Sequence, residues 1–151
     1  MKKLLILILF YTNTTHSLNI PEEVKVVQVS SSYFNMLGFR GYVEGMYLPH
    51  NRRIYINRAS RNKRAVLCHE IAHDVWFHGM TPRQRQKYEI YHNTERVITT
   101  QYSKVNLREN FAEMFMISAC NEWDRVTTHR RLRQKIVQSR QYKFIKSIYN
   151  E

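Results

Sequence analysis

Val24, Val26, Val27 and Val29 bring β-branched residues together between Val24 and Ser32, which predicts a first strand. Gly38, Gly41 and Gly45 punctuate a turn-rich stretch in which Phe39, Tyr42 and Val43 suggest a short strand. Pro49-His50-Asn51 reads as a turn, and Arg52 to Asn57 as another strand. The period then changes. Ser60 to Phe77 predicts a helix ending near Gly79. Val66, Leu67, Ile71, Ala72, Val75 and Trp76 make that helix apolar nearly all round, as a buried helix is. Thr81-Pro82 supplies an N-cap and a first-turn proline for a polar helix to about Val97. Thr99 to Asn106 reads as a loop, and Leu107 to about Asn121 as a third helix. Thr127 or Thr128 would cap one last helix to about Tyr149, with Leu132, Ile136, Val137, Phe144, Ile145 and Ile148 at helical spacing. A sheet followed by helices is an α+β layout.

The first residues stand apart from this pattern. Lys2 and Lys3 precede an apolar run from Leu4 to Phe10, and Thr15 and Ser17 are small enough to flank a cleavage site. This is the order of an export signal, and the run is far short of the ~20 residues of a membrane span. The expected division is a signal peptide over 1–17 and one domain over 18–151, in a secreted or extracytoplasmic protein. The charge is strongly positive, 24 Lys+Arg against 12 Asp+Glu. It favours anionic partners, and the last helix concentrates it in Arg130, Arg131, Arg133, Lys135, Arg140, Lys143 and Lys146. That helix is a solvated face or a seat for an anionic surface. Export argues against nucleic acid as a partner, and a monomer is expected.

The chemistry centres on His69-Glu70-Ile71-Ala72-His73, an H-E-x-x-H pattern inside the predicted buried helix. Residues i and i+4 share one helix face, so both imidazoles can reach one ion. Glu70 lies about 100° round the helix from His69 and can flank the ion without ligating it. From there it can move the proton of a zinc-activated water. A pair of hydrogen-bonded core histidines is the plainer alternative. A catalytic zinc needs a third protein ligand and an open position. The downstream candidates are His78, His92, Glu89, Glu95, Glu109 and Glu113. His78 comes one position too early for a metzincin. Glu109-Asn110-Phe111-Ala112-Glu113 puts two carboxylates on one face of the third helix. One could bind zinc and the other orient a ligand histidine; a solvated acidic pair is the plainer reading.

Tyr102 stands seven residues before Glu109, and Phe111-Ala112-Glu113 follows. With the first motif, this resembles the gluzincin proteases, most closely the anthrax lethal factor protease domain and the secreted Pro-Pro endopeptidases. The likeness covers about Ala65 to Ile117. It implies a zincin-like fold whose sheet edge pairs with an extended peptide or protein substrate above the active-site helix. It implies Zn2+ held by His69, His73 and Glu109, with Glu70 as general base. Tyr102 would donate to the oxyanion, and Glu113 would support a ligand from behind. Asp74 to His78 departs from the resemblance and is expected to line or border the cleft.

Two cysteines remain. Helical rotation turns Cys68 away from the imidazoles and puts Cys120 three turns past Glu109, so the two are read as unpaired thiols. His92 is expected to be exposed. The competing function is a binding module, either an inactive zincin or a basic domain acting on anionic surface polymers. The presence of both Glu70 and Tyr102 favours the enzyme.

Overall fold

The computed structural model describes residues 20–126 and 129–149. The expected signal peptide, the start at Leu18 and the Thr127 or Thr128 cap lie outside the described residues. Within them the chain is α+β, with a three-stranded sheet and six α-helices. No described helix is long and apolar enough to cross a membrane.

Strand β3 (Arg53–Asn57) is central, with β1 (Lys25–Val29) parallel on one side and β2 (Gly45–Leu48) antiparallel on the other. Ile54, Tyr55 and Ile56 are all buried, because helices cover both faces of β3. On one face lies α1 (Ser31–Met36), whose Tyr33 ring stacks on Tyr55 at 5.2 Å. On the other lies α2 (Lys63–Asp74). Helix α1 corrects the expectation of a strand reaching Ser32. The ladder with β3 ends at Val29, opposite Asn57, and the fully buried Asn57 amide then donates to Ser31 Oγ (3.0 Å) and Val43 O (2.8 Å). The second strand is also displaced. Gly38 (φ 87°) and Gly41 (φ 92°) adopt left-handed conformations that break the backbone of 39–43, and pairing starts only at Gly45.

Helix α2 runs on into a π-helical turn, Val75–Gly79. The capping box of Thr81 with Gln84 opens α3 (Pro82–Glu95) as the Thr-Pro pair predicts. After a 3-10 turn at Tyr102–Lys104, Asn106 caps α4 (Leu107–Ser118) by accepting from the N–H groups of Arg108 and Glu109. Helices α2 and α4 pack antiparallel. Arg64 pairs with Glu122 at one end of the seam, and His73 meets Glu109 at the other. Ile71, Ala72, Phe111, Ala112, Met114 and Phe115 fill the space around it with no exposed surface.

The expected last helix is two, α5 (Arg130–Gln138) and α6 (Arg140–Tyr149). Ser139 turns extended (ψ 150°), and its hydroxyl accepts from the N–H of Tyr142 at 3.2 Å, as a helix N-cap does. The freed N–H of Arg140 donates to Glu95 (2.8 Å), so an acceptor on α3 stabilises the break. Helix α6 joins the core through Gln141, whose amide donates to Asn110 Oδ1 (2.7 Å), while Tyr88 donates to the same oxygen (2.8 Å). One buried amide on α4 thereby registers α3 and α6.

The structure also pairs Cys68 with Cys120, at a Cα separation of 6.5 Å, which overturns the reading of two unpaired thiols. The antiparallel seam decides the outcome, because it lays the end of α4 beside the first half of α2.

Asp74 is corrected as well. It turns inward rather than to the cleft, accepting from Tyr47 Oη (2.7 Å) and from the Arg52 fork (2.9 and 2.7 Å). Such a bidentate pair offsets the cost of burying a carboxylate. It fixes the end of α2 to β2 and to the turn before β3. Trp76 is buried against Tyr88 and Phe111, and His78 is exposed near Pro49 O. Of the stretch 74–78, Phe77 alone lines the cleft. His92 is half-buried rather than exposed, with its Nδ1 covered.

Candidate metal centre

The two histidines of α2 stand one turn apart, their rings 5.0 Å apart and nearly perpendicular. Across the seam, the first turn of α4 points Glu109 at both. Its Oε2 lies 3.0 Å from His69 Nε2 and 3.4 Å from His73 Nε2. One ligand atom from each residue lies within 4.8 Å of the others, a group that could hold a metal ion. Donors ~2.1 Å from a tetrahedral centre are ~3.4 Å apart, close to the two spacings from Glu109. Three protein donors leave a tetrahedral cation one open position.

Behind the donors, His69 Nδ1 meets Glu113 Oε1 at 2.8 Å, and Thr100 Oγ1 donates to the other Glu113 oxygen at 2.8 Å. When Nδ1–H donates to Glu113, the lone pair of Nε2 faces the other donors. Burial disfavours protonated His69, but its hydrogen bonds to Glu109 and Glu113 outweigh that and raise it to about 10. Burial also pushes Glu109 up, and the bonds to His69 and His73 overcome it and bring it down to about 2. The cluster therefore draws positive charge into the space between its donors, as a proton or as a metal ion.

Glu70 is buried beside this group. Burial raises its proton affinity, and the nearby imidazoles and a backbone hydrogen bond from Tyr47 partly offset that. Strand β2 approaches closely because Gly45 has no side chain. A Cβ there would lie 2.4 Å from Val66 Cγ1 and 2.9 Å from Glu70 Oε1. Tyr102 is half-exposed on its 3-10 turn, its ring centre 5.7 Å from that of His69. Burial, with the carboxylates of Glu109, Glu70 and Glu113, pushes its phenol up to about 12, so it remains a hydrogen-bond donor across the neutral range.

All six residues singled out in the sequence line one cleft of about 950 Å³ between β2, α2 and α4. Sequence reasoning passed over Thr100, Gly45 and Arg108. Gly45 carried a signal, as one of only 4 glycines in the chain. Thr100 and Arg108 carried none, since their parts depend on what lies opposite them. Comparison of the sequence with known proteins finds no matching family model and no matching curated protein.

Proposed function

We propose that this chain is a secreted zinc-dependent endopeptidase of the gluzincin kind, with a zincin-like arrangement of sheet edge and active-site helix. The observation that carries the reading is the meeting of His69, His73 and Glu109 from two helices, with Glu70 buried alongside and β2 at the edge of the described sheet. A zinc ion there would act as a Lewis acid on the scissile carbonyl and make water a better nucleophile at neutral pH. The protein's own groups do the rest. Strand β2 offers backbone groups to an extended peptide. Glu70 accepts the proton of the attacking water and returns it to the leaving amine, a task suited to a carboxyl whose proton affinity is raised by burial. Tyr102 donates to the oxygen that gains charge as the carbonyl becomes tetrahedral. Glu113, held by Thr100, keeps His69 in one orientation. The paired cysteines support export, since disulfides persist in oxidising compartments.

Elemental analysis of the purified chain should give one zinc per molecule, and a chelator should abolish cleavage of unfolded peptides until zinc is restored. A protein with a full complement of zinc that cleaves nothing in a broad peptide library would refute the reading. Tyr102→Phe is expected to lower kcat by about 10²–10³ with little change in KM, the cost of losing one oxyanion donor. Steady-state kinetics on one peptide checks this, and an unchanged kcat would remove Tyr102 from the mechanism.

A second reading concerns location rather than chemistry. Arg130, Arg131, Lys135 and Lys143 are exposed on α5 and α6, which suits attachment to an anionic surface polymer. It predicts retention on such a polymer that weakens steeply with salt.

A further inference from the structure

The cleft has two chemically different ends. Helix α2 runs alongside β2 in the same direction. Gly45 lies against Val66 and Glu70, Tyr47 against Asp74 and Phe77, and Pro49 near His78. At the Gly45 end the floor is Val43, Ala65, Val66 and Met116. The charges there are satisfied, since Arg125 pairs with Glu44 at 2.9 Å and Ser60 donates to the other Glu44 oxygen. In the middle, Glu109 and Glu113 are engaged by the histidines and Thr100, and Glu70 is buried. At the Pro49 end lies Arg108, its guanidinium 5.5 Å over the ring of Phe77. Among the described residues no carboxylate lies within ion-pair distance of it. It is thus a positive charge with no carboxylate beside it, steadied by an aromatic face, at the end of the cleft opposite the paired Arg125 and Glu44.

A peptide added to the edge of β2 in the antiparallel sense, the slightly more stable pairing, lays its amino-terminal residues toward Pro49 and its carboxy-terminal residues toward Gly45. We infer that Arg108 selects an acidic side chain on the amino-terminal side of the scissile bond, an inference that rests on the peptidase reading above. Carboxylate and guanidinium match in geometry as well as charge, so Asp or Glu is favoured over its amide. Because Arg108 is exposed, the preference is modest and sensitive to salt.

The test is a mixed peptide library digested by the zinc-loaded chain and read by mass spectrometry. Asp and Glu should be enriched about tenfold over Lys and Arg at one or two positions before the cut, less so at high salt. Arg108→Glu should invert that ratio. Phe77→Leu, which removes the ring beneath the guanidinium, should flatten it. A binding readout needs no turnover: the Glu70→Gln chain should hold a fluorescent acidic peptide about threefold tighter than its amide counterpart. Cleavage with no acidic preference, a preference located after the cut, or one indifferent to residue 108 would overturn the inference while leaving the peptidase standing. Failure of the wild type to cleave any peptide would end both.

Discussion

Glu70→Gln is expected to lower kcat by about 10²–10⁴ while zinc content and fold are kept. The amide has the shape of the carboxyl and can still accept the N–H of Tyr47, so the approach of β2 to α2 is preserved. What it cannot do is take a proton. Glu70 is not one of the grouped metal donors, so elemental analysis should read one zinc in both proteins. Burying a neutral amide costs less than burying a carboxylate, so the melting temperature should not fall. This pattern separates Glu70 from Glu109, whose removal should strip the metal itself. A Glu70→Gln chain with wild-type turnover would show that the proton goes elsewhere. One that lost its zinc would show that Glu70 is a ligand after all.

Breaking the Cys68–Cys120 bond is expected to have the second largest effect. The bridge spans 52 positions of sequence, and closing a loop of that length restricts the unfolded chain by about 4 kcal/mol. A small domain can lose most of its stability in that step. Guanidinium unfolding of the oxidised protein against the Cys68→Ser/Cys120→Ser double variant gives the difference directly. The sulfurs also sit on the α2–α4 seam, with Cys68 next to His69. Loosening them should weaken zinc affinity before the fold is lost, as a competition titration with a chromophoric chelator would show. Two thiols reacting in the unfolded, unreduced chain would disprove the bridge.

The two motifs of the site were legible because each is local. His69 to His73, and Glu109 to Glu113, are separated by one helical turn, and a helix converts that spacing into a shared face whatever surrounds it. The Thr81 cap was legible for the same reason. The features that escaped depend on partners far along the chain. The break at Ser139 is stabilised by Glu95 on another helix, Asp74 turns inward to Arg52 and Tyr47, and the cysteines meet only because two helices run antiparallel. Helix α1 was missed because valine-rich spacing speaks for strand, while the place where a strand ends is set by its neighbour's register. The meeting of His69, His73 and Glu109 falls between these cases. Each helix was readable alone, but the registration of α2 on α4 belongs to the packed core.

The bare backbone at Gly45 makes strand position and the Glu70 carboxylate a single mechanical part. Any side chain there pushes on Val66 and the Glu70 carboxylate together, so a groove widened at this point would also tilt the proposed base. Attempts to retune selectivity from this side of the groove should therefore lose turnover as fast as they gain room. Variation that leaves the chemistry intact has to come from the opposite wall or from the ends.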